Sequence, residues 1–184
     1  MTIVSAPTRI VTLCTGNAAR SVMMGFMLTR LSEVNNLEWE IRTAGTHATE
    51  GAAMSPRTLE SLVALEDLGE HHFTAHRSHQ LTADDMQWAD LVIAVEASHV
   101  AYVAAHHPDH SHKAIQLRHF VRYAPLDEGF VDQREAVSQF ALTKEFDVED
   151  PAGGDQGVYH SCARELWDLS HAFVTVLGPS SDEN

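Results

Sequence analysis

A cysteine and an arginine lie close together near the start of the sequence, in the stretch TLCTGNAARSVMM at residues 12–24. Cys14 is followed by five residues, then by Arg20 and directly by Ser21. A thiolate is a good nucleophile, and the planar guanidinium of arginine can bind two phosphate oxygens at once. The spacing therefore predicts an anion-binding turn (residues 14–20) in which Cys14 is the nucleophile. The sulfur of Cys14 can accept a hydrogen bond from Ser21.

The residues inside this turn suit a loop whose backbone N–H groups point inward. Gly16 and Asn17 tolerate the left-handed backbone angles that a tight anion-binding nest requires. A helix that starts at the end of the turn adds the positive end of its dipole to the charge of Arg20, and both favour the thiolate form of Cys14. The alternative is an inert buried Cys at the end of a strand, followed by an Arg that merely starts a helix.

A second candidate for chemistry is the acidic stretch FDVEDPAGG at residues 146–154. Cleavage of a phosphate ester needs a proton for the departing oxygen, and Asp147, Glu149 and Asp150 offer carboxyl groups. Pro151 stiffens the chain directly after Asp150, and the Gly-Gly pair beyond it favours a loop. Taken alone, this stretch is better explained as an ordinary acidic turn.

Hydrophobic patterns predict the elements that must position these residues. Strands are predicted at residues 9–14, 39–44, 90–95 and 114–117, and helices at about 19–34, 56–68, 83–89, 98–107, 133–143 and 157–177. Ser55 before Pro56, and Thr82, are predicted N-caps. The alternation predicts an α/β protein, a three-layer doubly wound fold with a central four-stranded parallel sheet and helices on both faces. Such sheets bind ligands at the carboxyl ends of their strands, where the anion-binding turn lies.

Length and composition limit the class of protein. With 184 residues, 44% of them hydrophobic, the chain is predicted to form a single domain, 1–184, with an insertion at about 124–146 where the alternation breaks down. The formal net charge of −14 argues against binding to nucleic acid or to anionic membrane surfaces. No apolar stretch approaches the roughly 18 residues of a membrane-spanning helix, so a cytoplasmic protein is expected.

The cysteines and histidines give no sign of a disulfide framework or a metal site. Cys14 and Cys162 are the two cysteines of the chain, and free thiols are the preferred interpretation. The runs HHFTAHRSH (71–79) and HHPDHSHK (106–113) lack metal-ligand spacing on a recognisable scaffold and contain no Cys. Both runs are therefore interpreted as solvated loops, and no metal is expected.

Taken together, the turn at Cys14 and the Asp-Pro loop resemble the low-molecular-weight protein tyrosine phosphatase family, which has its phosphate loop near the N-terminus and its acid near the C-terminus. Further stretches are similar to the family at corresponding places: TAGT (43–46), MSPRTLESL (54–62), HRSHQLTADD (76–85) and DLVIAVEASHV (90–100). The resemblance covers most of the chain. It implies a cysteine-dependent enzyme that dephosphorylates a protein or a small phosphomonoester without a cofactor.

The resemblance also implies a role for each site residue. Cys14 attacks phosphorus and forms a phosphocysteine, Arg20 holds the equatorial oxygens, and Asp150 protonates the leaving oxygen and then deprotonates the attacking water. The phosphate is bound by the loop residues Thr15, Gly16, Asn17, Ala18, Ala19 and Arg20. The supporting hydrogen-bond network comprises Asn17, Ser21, Thr43 and His76.

Several positions depart from the usual pattern of the family. Ala19 stands where a second Cys can form a protective disulfide with the nucleophile. Residues 152–153 are Ala-Gly where aromatic pocket residues are common, and His47 or Thr49 falls at the other wall. Ala18 stands where a larger side chain helps to choose the substrate, and relatives with other residues there act on phosphoarginine. A protein tyrosine phosphatase is the first expectation, with phosphoarginine or another phosphorylated group as the alternative substrate.

The sequence is also compatible with a different role for the insertion and with two different classes of function. Phe130, Phe140 and Phe146 of the predicted insertion could supply pocket walls, or could only bury its extra helix.

An arsenate reductase would need an external thiol, because Cys162 alone cannot complete an internal relay of two further thiols. A non-catalytic phosphate-binding regulatory module would keep the turn without turnover. Cys162 is expected to be buried rather than reactive, and the sequence does not indicate an oligomeric state.

Overall fold

A four-stranded parallel sheet forms the centre of the fold. In the computed structural model, which describes residues 8–126 and 128–177, the strands are β1 (Arg9–Cys14), β2 (Glu40–Gly45), β3 (Leu91–Ala94) and β4 (Ala114–Gln116). Their order is β2-β1-β3-β4, and every neighbouring pair is parallel. The predicted parallel sheet is confirmed.

Helices cover both faces of this sheet. They are α1 (Arg20–Val34), α2 (Pro56–Val63), α3 (Ala83–Trp88), α4 (Ala97–His106), α5 (Leu117–Tyr123), α6 (Phe130–Ser138) and α7 (Gln156–Leu177). Side chains of β1 alternate between the faces: Ile10 packs in a core with α1, α5 and α7, whereas Val11 and Leu13 pack with α3 and α4. The three-layer arrangement is therefore confirmed. Among the described residues, no helix combines the length and apolar character needed to cross a membrane.

The two predicted N-caps begin their helices. Ser55 Oγ accepts a hydrogen bond from Thr58 N at 3.4 Å, with Pro56 at the first helical position. Thr82 forms a full capping box with Asp85, in which each side chain accepts from the backbone N–H of the other. Both caps satisfy N–H groups that would otherwise lack a partner at the start of a helix.

The second helix is shorter than predicted. It ends at Val63 instead of near residue 68, because Leu65 takes an extended backbone conformation. A 3₁₀ turn at Glu66–Leu68 follows and buries Leu68 completely. The apolar spacing that suggested one continuous helix therefore comes from two elements that share a core.

The region between β4 and α7 differs most from the prediction. α5 was not predicted, because it follows β4 without any Gly, Pro, Asn or Asp to mark its start. α6 covers Phe130–Ser138 rather than residues 133–143. Its first residue, Phe130, packs against Phe120 of α5 with ring centroids 6.0 Å apart, which favours the earlier start.

Candidate active site

The predicted anion-binding turn lies between β1 and α1, at the carboxyl edge of the sheet. The strand order reverses here, because β2 lies on one side of β1 and β3 on the other. Connections that leave the sheet in opposite directions open a crevice at such a point. Cys14 ends β1 and Arg20 begins α1, and the two side chains are almost fully buried.

The sulfur of Cys14 is held by the hydroxyl of Ser21. Their Sγ and Oγ atoms are 3.0 Å apart, and Asn17 Nδ2 donates to the same Ser21 oxygen at 2.8 Å. Because this oxygen already accepts from Asn17, the hydroxyl hydrogen is free to point at Cys14 Sγ. A donor at this distance stabilises a thiolate, both as attacking nucleophile and as leaving group.

The bend of the turn is at Asn17. Its φ of 50° lies in the left-handed region that Asn tolerates better than most residues. Gly16 was predicted to share this role, and that prediction is wrong, since its φ is not positive. One left-handed residue is enough, because a single αR-αL step already turns successive N–H groups inward.

Separate parts of the chain hold Asn17 in place. Its Nδ2 donates to Thr43 Oγ1 at 2.9 Å, and its Oδ1 accepts from His79 N at 2.9 Å. Its carbonyl oxygen lies 2.7 Å from Ser78 Oγ and 3.0 Å from His76 Nε2. Burial lowers the pKa of His76, so its neutral ring donates through Nε2–H. The structure thus brings the predicted supporting residues to the turn, together with two that were not predicted.

The backbone of the turn offers hydrogen-bond donors. Within residues 8–126 and 128–177, the N–H groups of residues 15–20 donate to no protein acceptor. Ala19 is the N-cap of α1 and has no side-chain acceptor, so the first amides of this helix are uncapped. The carbonyl of Ala18 is fixed on the other side by Ser55 N and Thr58 Oγ1, at 3.2 and 2.9 Å. Uncapped amides at the positive end of a helix dipole favour a bound oxyanion.

Glycine at position 45 lets β2 approach the turn closely. Thr46 N donates to Cys14 O and His47 N donates to Thr15 O, both at 2.9 Å. A Cβ atom at Gly45 would lie 2.5 Å from Thr15 O, closer than any side chain permits. This contact gives the TAGT segment a physical role, which is to support the anion-binding turn from behind.

The guanidinium of Arg20 lies between two carboxylates. Nη2 donates to Asp150 Oδ2 at 2.7 Å, and Nη1 donates to Glu96 Oε1 and, at 2.9 Å, to Val148 O. With only 2% of its side chain exposed, this cation needs such partners. Glu96 was not predicted as a site residue. Its position held a signal nonetheless, because it follows β3, and the carboxyl ends of adjacent parallel strands meet at one edge.

Of the three carboxyl groups in the acidic loop, Asp150 alone contacts the arginine. Asp147 Oδ1 accepts from Ala97 N and from Gln116 Nε2, both at 2.7 Å, so it anchors the loop to its neighbours. Glu149 is exposed, and its carbonyl oxygen lies 3.9 Å from Cys162 Sγ on α7, outside the site. The geometry therefore singles out Asp150, which is itself exposed enough to meet a substrate.

At the described positions where the resemblance places aromatic pocket walls, this chain has smaller or polar side chains. Residues 152–153 are the small pair Ala-Gly, and on the other side His47 packs edge to face on Tyr102 with ring centroids 5.5 Å apart. The phenylalanines of residues 124–146 pack on α5 instead: Phe130 on Phe120, Phe140 on Tyr123, and Phe146 on His119 and Tyr123. The interpretation that these residues bury the extra helix holds for Phe130, which belongs to α6, whereas Phe140 is 46% exposed and lies beyond the end of α6.

The second thiol is not a reactive group. Cys162 on α7 is 6% exposed, and its sulfur lies 3.9 Å from Glu149 O. Burial raises the pKa of this thiol to about 12, so the nucleophilic thiolate is negligible near neutral pH. The expectation of a buried Cys162 is confirmed.

Apart from the contacts of His76 and His79 with Asn17, the histidines of the two runs make contacts outside the turn. His79 bonds Asp85 at 2.8 Å and Glu50 at 3.1 Å, and these bonds raise its pKa against the opposing effect of burial. His106 stacks on Tyr102, with ring centroids 4.0 Å apart. In the part of the chain that the structure describes, no three His, Cys, Asp or Glu side chains are arranged to hold a metal ion.

This chain is similar to known proteins over nearly its whole length. A family model described as low molecular weight phosphotyrosine protein phosphatase matches residues 9–181. The protein-arginine-phosphatase of Bacillus subtilis (strain 168) is 29% identical over 160 residues, which are 87% of this chain and 90% of the relative. The structure of a low molecular weight protein tyrosine phosphatase from T. tengcongensis has a TM-score of 0.73 and 28% identity, covering 90% of this chain and 97% of that one. A mutant arginine phosphatase with a phosphorylated active-site serine has a TM-score of 0.71 and 25% identity, covering 90% and 93%.

Proposed function

Because the chain belongs to the low molecular weight phosphotyrosine protein phosphatase family, whose members are cysteine-dependent phosphatases, we propose that it hydrolyses a phosphorylated protein side chain through a phosphocysteine on Cys14. One observation carries this proposal. Asp150, far along the chain, bonds Arg20 at 2.7 Å, and Arg20 closes the turn that Cys14 opens. Nucleophile, anion clamp and proton donor thus share one site, as covalent phosphoryl transfer requires.

In the first step the thiolate of Cys14 attacks phosphorus, and the bond from phosphorus to the leaving group breaks. Asp150 gives its proton to the departing atom, which would otherwise leave as an unstable anion. Arg20 and the free N–H groups of residues 15–20 stabilise the charge on the three remaining phosphoryl oxygens. These donors are held in place before substrate binds, so little reorganisation is needed in the transition state.

In the second step water replaces the sulfur. The carboxylate of Asp150 takes a proton from water, the water oxygen attacks phosphorus, and the sulfur–phosphorus bond breaks. Ser21, whose hydroxyl lies 3.0 Å from Cys14 Sγ, stabilises the departing thiolate. Inorganic phosphate leaves, and the enzyme returns to its starting state without a cofactor.

This function agrees better with the site than the two competing classes do. An arsenate reductase with an internal relay would need reactive thiols, and Cys162 is buried with a pKa raised to about 12. A module that only binds phosphate would have no use for an exposed carboxyl group on the arginine clamp. Arsenate-dependent consumption of an external thiol would favour the reductase.

Asp150→Asn is expected to lower kcat by about a hundredfold, because general acid catalysis contributes roughly that much or more. The amide still accepts a hydrogen bond from Arg20, so the binding of phosphate is expected to change little. The loss should be smaller for p-nitrophenyl phosphate, whose leaving group is stable as an anion, than for an alkyl phosphate. Steady-state kinetics with both substrates measures the difference.

Glu149→Gln is the matched control for this variant. It removes a neighbouring exposed carboxyl group that does not contact Arg20. Equal losses in both variants would mean that the charge of the loop matters rather than the proton of Asp150, and the assignment of the acid would then be wrong.

A second candidate for the substrate is phosphoarginine rather than phosphotyrosine. The small residues 152–153 give an aromatic ring little to stack on, and stacking contributes on the order of 1 kcal/mol per contact. Glu96 and Asp150 place two carboxylates beside the anion clamp, and both side chains are partly exposed. These carboxylates attract the cationic guanidinium of phosphoarginine more strongly than the neutral phenyl ring of phosphotyrosine. A relative with 29% identity is a protein-arginine-phosphatase.

On this view, a phosphoarginine peptide is expected to have a higher kcat/KM than a phosphotyrosine peptide with the same flanking residues. The measurement is release of inorganic phosphate at equal peptide concentrations, with a phosphoserine peptide as a third substrate. A clear preference for phosphotyrosine would remove the second candidate and leave the proposed phosphatase chemistry intact.

A further inference from the structure

The first turn of α4 contacts both ends of the anion-binding turn. Glu96, the N-cap of α4, bonds Arg20 at the end of that turn. His99, within the same helical turn, has its Nε2 atom 2.9 Å from Thr15 Oγ1, at the beginning. Ser98 Oγ donates to the second oxygen of Glu96 at 2.7 Å and keeps that carboxylate in place.

The ring of His99 is buried and neutral. Only 2% of the residue is exposed, and burial lowers the pKa of His99 to about 4 despite the carboxylate of Glu96 nearby. Within the described part of the chain Nδ1 has no hydrogen-bond partner. A buried bare acceptor is tolerated more often than a buried unpaired N–H, which favours the tautomer with hydrogen on Nε2. His99 then donates to Thr15 Oγ1.

This arrangement is unfavourable as a purely structural contact. A buried polar atom without a partner destabilises the fold, and an apolar side chain would fill the same space without that cost. The imidazole supplies a rigid hydrogen-bond donor to Thr15, the residue next to the nucleophile Cys14. The hydroxyl hydrogen of Thr15 is left free, because its oxygen is the acceptor.

The same helical turn also holds the acidic loop. Ala97 N donates to Asp147 Oδ1 at 2.7 Å, close in sequence to the candidate acid. One short segment, Glu96 to His99, therefore touches the beginning of the anion-binding turn, its arginine and the loop that carries Asp150. A shift of this segment would change the relative positions of nucleophile, clamp and acid together.

We propose that His99 is a positioning residue for catalysis, which fixes the start of the anion-binding turn through Thr15 so that Cys14 and the amides beside it keep the geometry of the transition state. This inference rests on the proposed phosphatase function. It adds His99 to the residues of the site. This residue lies on α4, which follows β3, whereas the anion-binding turn lies between β1 and α1.

The experiment compares wild type with His99→Leu, His99→Gln, Thr15→Val and the double variant Thr15→Val with His99→Leu. Turnover of p-nitrophenyl phosphate gives kcat and KM, and thermal unfolding reports whether each variant folds. His99→Leu is expected to lower kcat about three- to tenfold, the effect of one lost hydrogen bond, while KM changes less than about twofold. His99→Gln, whose amide nitrogen reaches as far as Nε2, is expected to recover most of kcat.

The double variant tests whether the two side chains act together. If His99 acts through Thr15, the double variant loses no more activity than Thr15→Val alone. His106→Gln is the matched control, since it makes the same change at an exposed histidine of the same helix, and it should leave kcat unchanged.

The outcomes separate this inference from the proposed function. An inactive wild type would contradict the phosphatase function itself. An active wild type with an equally active, folded His99→Leu variant would overturn only the role of His99. Additive losses in the double variant, or a loss that His99→Gln does not reduce, would also overturn it.

Discussion

Replacing Cys14 by Ser is expected to abolish turnover while leaving the fold intact. Serine differs by one atom and can keep the contact with Ser21, so the buried turn loses little packing. Its hydroxyl is a far weaker nucleophile than a thiolate, because among the described residues the side chain bonded to this position is the hydroxyl of Ser21, which is not a base that could remove its proton. The expected loss in kcat for p-nitrophenyl phosphate is on the order of 10⁴-fold or more. Initial rates between about pH 5 and 7 measure it.

Cys162→Ser is the matched control for the nucleophile. This thiol is buried on α7 and is not part of the proposed chemistry, so the variant should keep the kcat of wild type. If both Ser variants were as active as wild type, the reaction would not pass through either sulfur. If wild type and Cys14→Ser were equally inactive on every phosphorylated substrate, the module that binds phosphate without turnover would be the better account.

Arg20→Lys is expected to give the second largest loss, about 10²- to 10³-fold in kcat/KM. The charge is kept, yet an ammonium group cannot make the fork of parallel hydrogen bonds that binds two phosphoryl oxygens. The single nitrogen of lysine cannot replace the separate bonds that Arg20 makes to Val148 O and to the carboxylates, so the buried Val148 O is expected to lose its donor. A buried acceptor left unpaired costs about 1–3 kcal/mol, so the free energy of unfolding should fall as well.

Arg30→Lys controls for the effect of lysine on the same helix. Arg30 lies on α1 with its side chain 38% exposed, where it pairs with Glu33 at 3.8 Å and its Nε donates a long hydrogen bond of 3.4 Å to Asp67 O. Its replacement should change neither kcat/KM nor stability by a measurable amount. Equal activity of the two lysine variants would mean that a point charge suffices, and the role of the guanidinium fork would then be wrong.

The sheet and the turn could be predicted because their signals are local. A run of apolar residues at 9–14, followed by Gly and Asn and then by an amphipathic stretch, already defines a strand, a bend and a helix. Asn17 and Ser21 lie within this stretch, so the contact of Ser21 with Cys14 and the bond from Asn17 to Ser21 were within reach of sequence reasoning. The error at Gly16 shows the limit: the sequence names the residues able to bend, and packing selects which one does.

The residues that sequence reasoning missed reach the site through tertiary contacts. Glu96 and His99 follow β3, and nothing in their local pattern shows that β3 pairs with β1. Ser78 and His79 reach Asn17 from a loop with a largely irregular backbone. Such residues can be placed only once the strand order is known. α5 escaped prediction for a different reason, since the usual boundary residues are missing where β4 meets it.

The most direct test of the account is to look for the phosphoryl group on Cys14 during turnover. Asp150→Asn slows the hydrolysis of the intermediate, so mixing this variant with substrate and quenching in alkaline denaturant should trap it. A phosphocysteine mechanism predicts that mass spectrometry finds one added phosphoryl group on the peptide that contains Cys14, and none after the further change Cys14→Ala. Release of phosphate by the variant with no such peptide, or with the phosphoryl group on another residue, would contradict it.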